Sequence, residues 1–358
     1  MVERPTLTDT ASVRVLIPAD HASGRPRGIK FTCVHPFLDG QNGEASGLDP
    51  EVLHYHHPSA ENFSLAQSSE SPQELRRRSQ NGDESTKLLG YPFDTPVYVR
   101  YVGDSRVRTA AEAAFDQDRL AAEITALPEP AQIVAFRLVE LFQATVAARN
   151  AAQFSLYKPL DLQRVNNALD RVSWGAELPQ VAGELMSNLI LRHSLPNANH
   201  RTSIVVLQFC IEAVEPSFRM PEAGRDGRAW NQWADPYIRE SKRLLTVRRN
   251  NLYFKPLARL GVDVVERKGE VQTHLSDYDL DIPPTAAKER YAREHKQLCL
   301  EFTDRVLKEA HRTDLYDVAG PSLKQFVAYL DENLPERDPC EIVRATVSHR
   351  LRSRMASL

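Results

Sequence analysis

Residues 193–202 read HSLPNANHRT, and the central part of the chain is organised around this polar decapeptide. Before it, apolar residues recur at three- and four-residue spacings over 179–192, which predicts a helix beginning at Pro179. After it, residues 202–214 are apolar on nearly all sides, which predicts a second, buried helix that ends before Pro216. The decapeptide therefore leads into the first turn of a buried helix, where unpaired N–H groups and the helix dipole favour an anion.

The decapeptide follows a signature that reads His-x-Phe-x-Asp/Glu-Gly/Ala-Asn-Gly/Lys-Arg, and in this it resembles the Fic/Doc (Fido) family. Four positions agree in register, namely His193, Ala198, Asn199 and Arg201. Three positions depart, with Leu195 in place of phenylalanine, Asn197 in place of the acidic residue and His200 in place of glycine or lysine. The run ANHRT at 198–202 is most similar to the Doc-type branch of the family.

The resemblance implies a mainly α-helical, Fido-type core and an enzyme that transfers AMP or a phosphate from ATP, or a related nucleotide, to a protein hydroxyl on Ser, Thr or Tyr. It implies that His193 is the catalytic base, a task that suits an imidazole near neutral pH. It also implies phosphate-binding positions, at Ala198, Asn199, His200 and Arg201. Because Asn197 carries no charge, we expect Mg²⁺ to be held weakly there and mainly through the nucleotide.

Several alternatives follow from the departures. The bulk of His200 favours phosphate transfer, because in the family glycine at this position goes with AMP transfer and lysine with phosphate transfer. The family's autoinhibitory pattern is absent from the sequence, so a separate inhibitor protein is a possible partner. A non-catalytic Fido-fold module that binds a nucleotide or a protein is the second functional reading. The structural reading is an Asn-rich turn, in which Asn197 or Asn199 supplies a left-handed backbone.

The composition is that of an ordinary globular protein and excludes few partners. The 358 residues carry a net charge of −3, so nothing favours nucleic acid, and no apolar run reaches the roughly 18 residues of a membrane helix. The N-terminus lacks the order of a signal peptide. The cysteines are widely separated in sequence, as expected of reduced thiols in a cytoplasmic protein: Cys33, Cys210, Cys299 and Cys340.

The chain divides into three predicted parts. Residues 1–108 form a β-containing region with strands at 13–17, 29–34 and 97–102 and a mobile loop at 58–86. Residues 109–251 form the helical core, with a capping box at 109–112 and a helix that starts at Asp235-Pro236. Residues 252–358 form a helical extension, with a hairpin or loop around 268–270 and helices at 285–311, 322–333 and 339–355.

Three other stretches have features of a binding or catalytic site. Residues 35–44, HPFLDGQNGE, imitate the signature but carry an inserted glutamine and place Glu44 where the arginine belongs. Residues 54–57, HYHH, could bind a transition metal through their imidazoles, but surface histidines in a loop are the favoured interpretation. The basic helix residues from Arg239 to Arg249 could face phosphate, but a solvated helix face is the simpler interpretation.

Overall fold

The computed structural model describes the strand residues 52–55, 63–67, 86–91, 97–102 and 108–109, and the segments 117–147, 154–156, 158–221, 228–259, 262–267 and 271–333. These residues are mainly helical, as the sequence predicts. They belong to two compact units, one drawn from Met1–Ser105 and Thr246–Glu289 and the other from Arg106–Leu245 and Arg290–Leu358. The division into 1–108, 109–251 and 252–358 stays a prediction.

The elements are numbered in chain order. The helices are α1 Gln117–Thr125, α2 Glu129–Ala147, α3 Gln163–Leu169, α4 Leu178–Arg192, α5 Asn199–Glu212, α6 Arg228–Arg259, α7 Pro284–Glu309 and α8 Leu323–Asn333. The strands are β1 Val52–Tyr55, β2 Phe63–Gln67, β3 Thr86–Tyr91, β4 Val97–Val102, β5 Arg108–Thr109, β6 Ser155–Leu156, β7 Val264–Arg267 and β8 Val271–His274.

The first unit contains two small sheets. In one sheet β1 pairs parallel with β7, and β7 pairs antiparallel with β8; in the other, β2 and β3 flank β4 in antiparallel fashion. β4 coincides with the predicted strand at 97–102, and β7 and β8 confirm a hairpin around 268–270. The mobile loop predicted at 58–86 is wrong for 63–67, which form β2 with Phe63 and Leu65 at alternate positions.

Several sequence predictions fall on residues that lie outside the described ones. They are the strands at 13–17 and 29–34, most of the loop at 58–86, the capping box beyond Thr109, the three residues at the hairpin tip and the helix at 339–355. The second unit also contains a short ladder, in which β5 pairs antiparallel with β6.

The helices of the second unit pack around the pair α4 and α5. α3 packs on α4, and α8 packs on α2. α4 begins at Leu178 with Pro179 in its first turn, as the sequence predicts. α5 begins at Asn199, three residues before the predicted start, because the left-handed residue Ala198 ends the turn there.

The predicted helix start at Asp235-Pro236 is wrong, because the helix begins earlier and Asp235 pairs with an arginine of the same helix. α6 begins at Arg228 and continues through Pro236, which removes one N–H donor without ending the helix. Asp235 instead accepts a hydrogen bond from Arg239 Nε at 2.6 Å.

The core of the second unit holds two thiols among large apolar side chains. Cys210 on α5 and Cys299 on α7 are both buried and form no disulfide. Burial raises the pKa of the Cys299 thiol to about 12, and burial raises the pKa of the Cys210 thiol further still. For these two, the absence of a disulfide agrees with the predicted reduced thiols, while Cys33 and Cys340 lie outside the described residues. Within the described segments, no helix combines the length and the apolar character that crossing a membrane requires.

A buried carboxylate ties α4 to α7. Glu184 is 2 % exposed, and its oxygens accept hydrogen bonds from Lys296 Nζ and, at 2.7 Å, from the backbone N–H of Ser173. Burial alone raises the pKa of Glu184, but the hydrogen bonds from Lys296, Ser173 and Gln180 outweigh it, so the pKa lies below its ordinary value of 4.5. The native state therefore favours the charged carboxylate.

We expect the contribution of Glu184 to stability to depend on pH. A carboxyl whose folded pKa is depressed stabilises the protein fully above its unfolded pKa, near 4.5, and loses this effect as the pH falls through the folded pKa. Glu184→Gln should therefore lower the free energy of unfolding at pH 7, and this deficit should shrink below pH 4.5 in urea unfolding curves. Glu177→Gln, at an exposed position beside α4, is the control and should change stability by less than about 0.5 kcal/mol. A deficit that stays constant with pH would contradict the role of the charge.

Candidate functional site

Two left-handed residues frame the turn between α4 and α5. His193 follows the last residue of α4 with φ 56° and ψ 50°, and its N–H donates to the carbonyl of Leu189 at 3.1 Å. Ala198 precedes α5 with φ 62°. For residues other than glycine, this conformation costs about 1 kcal/mol each. The expectation that Asn197 or Asn199 supplies the left-handed backbone is therefore wrong.

The side chain of Asn199 holds the turn together from inside. It is 4 % exposed, its Oδ1 accepts from the N–H of Leu195 at 3.1 Å, and its Nδ2 donates to the carbonyl of Leu195 at 2.9 Å. These two bonds fix which end of the amide is oxygen and which is nitrogen. The same Nδ2 lies 3.2 Å from His193 Nδ1. The amide therefore donates its second proton to the imidazole of His193.

This hydrogen bond selects one form of the His193 ring. Because Nδ1 accepts from Asn199, a neutral ring carries its proton on Nε2. In that form Nε2 is a donor, which suits contact with an anion. Service as a catalytic base would require the opposite tautomer, with the proton on Nδ1 and a bare Nε2, and this would break the hydrogen bond from Asn199. Whether His193 acts as a base stays a prediction.

The other residues predicted to bind phosphate or metal have different surroundings in the structure. The N–H of Ala198 donates to Asn197 Oδ1 at 2.6 Å, so the Asn197 side chain supports the turn itself. His200 turns towards α6, where its Nε2 lies 2.8 Å from Ser241 Oγ. Arg201 lies half-buried in the first turn of α5. Within the described segments, no group of three or more His, Cys, Asp or Glu side chains is arranged to hold a metal ion.

A cluster of arginines lies beside the turn, and sequence reasoning missed it. Arg164 Nη1 on α3 donates to the carbonyl of Arg192 at the end of α4, at 3.2 Å. Burial lowers the pKa of Arg192, and the positive charges of Arg171 and Arg164 lower it further. Asp161 offsets part of this charge by pairing with Arg164, and its N–H donates to the carbonyl of Ser194 at 3.0 Å. Mutually repelling guanidinium groups at a turn that precedes a helix N-terminus favour an anionic ligand.

The structure adds little support for the other three candidate sites. Residues 35–44, and His56 and His57, lie outside the described residues, while His54 lies in β1. The basic helix is α6, where an open groove of about 570 Å³ is lined by Asp235, Pro236, Tyr237, Arg239, Glu240, Arg243 and Leu298. Two of its arginines pair with its own acids, Arg239 with Asp235 and Arg243 with Glu240. The groove therefore offers an anion less positive charge than its arginines suggest.

The fold and the site define a mainly helical protein with a basic, side-chain-braced turn at a helix N-terminus. The sequence model of DUF8172, a family of unknown function, matches residues 49–334, and the chain belongs to this family. No curated protein and no solved structure matches the chain.

The resemblance to the Fic/Doc (Fido) family is wrong, because the family that the chain matches over most of its length is a different one. The shared residues cover one turn, and turns rich in asparagine between two apolar helices arise readily from local backbone preferences. The site must therefore be judged on its own geometry.

Proposed function

We propose that the turn between α4 and α5 binds a nucleotide through its phosphates, with ATP as the expected ligand. The observation that carries this proposal is the hydrogen bond from Asn199 to His193 Nδ1, which favours a neutral imidazole with a donor at Nε2. Arg192, next to His193 in the chain, supplies positive charge, and Arg171 and Arg164 are close enough to act on its pKa. The first turn of α5, including Arg201, adds backbone N–H donors and a further guanidinium.

A second candidate is transfer of phosphate or AMP to a protein hydroxyl. An imidazole, a guanidinium and a helix N-terminus within nine residues favour it. In phosphate transfer, the hydroxyl oxygen would bond to the γ-phosphorus, the bond to the β,γ-bridging oxygen would break, ADP would leave and His193 would accept the proton. AMP transfer would instead release pyrophosphate from the α-phosphorus. Both require His193 to expose a bare nitrogen, and this is why we rank binding without catalysis first.

The proposal includes partners and conditions. Because Asn197 offers no charge and supports the turn, Mg²⁺ would be held mainly by the nucleotide phosphates. A protein with a Ser, Thr or Tyr hydroxyl, and a separate inhibitor protein, belong to the transfer candidate alone. A cytoplasmic location, where ATP and reduced thiols coexist, is consistent with both candidates.

Calorimetric titration with ATP and Mg²⁺ tests the binding proposal. Arg192→Gln or Arg171→Gln should weaken binding about tenfold, because a hydrogen bond to a charged group is worth about 1.5–3 kcal/mol and about 1.4 kcal/mol is a factor of ten. Arg290→Gln on α7 is the control; this arginine pairs with Glu294, and its loss should leave the affinity unchanged. The absence of ATP binding to the unaltered protein would refute the proposal.

ATP labelled separately at the α- and γ-phosphates distinguishes the two candidates. Incorporation of either label into the protein itself or into lysate proteins, abolished by His193→Ala, would establish transfer and identify the group that moves. Binding without incorporation would leave the non-catalytic module. Transfer that survives His193→Ala would remove His193 from the role of base.

A further inference from the structure

Helix α3 lies along α4 and is attached to it at both ends. Near the turn between α4 and α5, Arg164 Nη1 in the first turn of α3 donates to the carbonyl of Arg192 at 3.2 Å. At the other end, the backbone N–H of Ser173, just after α3, donates to Glu184 Oε2 at 2.7 Å. The two helices therefore run in roughly opposite directions, and the groove between them begins at the turn.

Three polar residues of α4 form a row beside this groove, and we call them the α4 row. Glu184, Asn188 and Arg192 are spaced four residues apart, so they lie above one another on one side of the helix. Because Glu184 bonds the segment that follows α3, this side is the one that α3 covers. From Asn188 to the turn at His193 the row extends over about 7.5 Å, at about 1.5 Å per residue.

Asn188, in the middle of the α4 row, has a donor without an acceptor. Its Nδ2 atom is buried and has no hydrogen-bond partner within the part of the chain that the structure describes. The residue as a whole is half-buried, and the terminal torsion of an asparagine side chain rotates easily, so the amide can turn towards the groove. A buried donor without an acceptor is unfavourable, and in a native structure it points to a missing partner.

The cations beside the α4 row are only partly neutralised by acids. Arg164 pairs with Asp161. Among the described residues, the side chains of Arg171 and Arg192 form no ion pair, although both guanidinium groups lie near Arg164. Arg171 lies in sequence between the two attachment points of α3, so its charge belongs to the same groove. Two uncompensated positive charges and one unused amide donor therefore lie along a single line that starts at the turn.

We infer that the ligand of this turn is recognised by a chain of at least three phosphates, which runs from the turn along the α4 row so that its terminal phosphate accepts a hydrogen bond from Asn188. The inference rests on the proposed function and specifies its ligand class, the linear polyphosphates, with or without a nucleoside. A single phosphate is too short to reach from the turn to Asn188, whereas a triphosphate also passes Arg192 and Arg171. At the far end of the row, Lys296 compensates the charge of Glu184, so this carboxylate opposes the terminal phosphate little.

The aromatic ring nearest in sequence to these arginines is already engaged within the protein. Trp174 stacks on Phe326 with 5.7 Å between the ring centroids, and its Nε1 donates to the carbonyl of Leu169 at 3.1 Å. Stacking on Trp174 is therefore not the expected means of holding a base. The phosphate chain, which matches the charges and the unused donor, should supply most of the affinity.

Calorimetric titration of the full chain with ATP, ADP, AMP and inorganic tripolyphosphate, each with Mg²⁺, tests the ligand class. Tripolyphosphate should bind about as tightly as ATP, while ADP and AMP should bind progressively more weakly. AMP that binds as tightly as ATP, or tripolyphosphate that fails to bind where ATP binds, would overturn the inference and leave the proposed function standing. Tripolyphosphate that binds where ATP does not would support the inference, with inorganic polyphosphate as the ligand, and refute the proposed function. If neither binds, both fail.

Asn188→Leu tests the position of the terminal phosphate, because leucine has a similar size and no donor. The affinity for ATP and for tripolyphosphate should fall about tenfold, as expected for a lost hydrogen bond to a charged group, while the affinity for AMP stays unchanged. The free energy of unfolding should not fall, since the amide nitrogen has no partner to lose among the described residues.

Gln297→Leu is the matched control, because it replaces an exposed amide on α7 that bonds Glu301, and it should leave every affinity unchanged. An ATP affinity that is unaltered in Asn188→Leu would overturn the inference. Equal losses for ATP and AMP, together with a lower free energy of unfolding, would assign Asn188 a structural role and overturn it as well.

Discussion

Asn199→Ala is expected to lower the free energy of unfolding by roughly 2–4 kcal/mol, because each buried polar group left without a partner costs about 1–3 kcal/mol. The substitution removes partners from the N–H and the carbonyl of Leu195 and from Nδ1 of His193. These groups lie in a turn that already holds two left-handed residues. The turn should loosen as a whole, and the affinity for ATP should fall with it. Urea unfolding and calorimetry measure the two effects.

Two further variants test this expectation. Asn199→Asp keeps an acceptor for the N–H of Leu195 but cannot donate to His193, so the ring should acquire a proton on Nδ1, visible by nitrogen NMR. Asn166→Ala on α3 is the matched control, because its side chain bonds Asp170 at the surface; it should cost less than about 0.5 kcal/mol. Equal losses in Asn199→Ala and Asn166→Ala would show that the bracing of the turn is energetically unimportant.

Gly183→Ala should lower the free energy of unfolding by about 1–3 kcal/mol, as overpacking of a tight core does. In an ordinary helix the same change raises stability by about 0.5–1 kcal/mol, so the sign itself is informative. A Cβ at position 183 would lie 2.8 Å from Leu300 Cδ2, 3.0 Å from Leu300 Cα and 3.1 Å from the carbonyl oxygen of Cys299. Two of these atoms belong to the backbone of α7 and cannot rotate away.

The consequence of Gly183→Ala should extend beyond stability. Ser187 lies one helical turn further along α4 and bonds His295 on α7, so helices forced apart at 183 should weaken this bond and alter the His295 nitrogen signals. Gly175→Ala is the contrasting variant, since its Cβ would meet nothing within 4 Å and only the φ of +81° opposes it. Its cost should be about 1 kcal/mol, without an effect on His295. An unchanged or raised stability for Gly183→Ala would contradict the close approach of α4 and α7.

Periodicity and helix-start signals predicted the elements well where one local preference decides the outcome. Pro179 marks the first turn of α4, and the alternation at 97–102 marks β4. The start of α6 was predicted wrongly. Asp235-Pro236 is a typical helix start when considered alone, but the helix has already begun at Arg228. The helix predicted at 322–333 forms as α8, and Ser322 and Gln325 bond reciprocally at its start.

The sequence predicted where the site lies but not how its side chains are arranged. The decapeptide is the turn that joins two buried helices, yet its similarity to a known signature led to a wrong family. The bond from Asn199 to Leu195 depends on the left-handed Ala198 between them, and sequence gives no signal for an alanine in that conformation. Hydrogen bonds join His295 to Ser187 and to Ser241, which are 54 or more residues away, so spacing along the chain could not reveal them.

The two buried thiols can report how often the core opens to solvent. Alkylating reagents attack thiolates, and burial suppresses that form at Cys210 and Cys299 as long as the helices stay packed. When Cys33 and Cys340 are replaced by serine, the rate of alkylation measures how often the interior opens to solvent. Cys210 lies on α5 and Cys299 lies on α7. Loosening near the turn should therefore raise the alkylation rate of Cys210, and separation of the helices near Gly183 should raise that of Cys299.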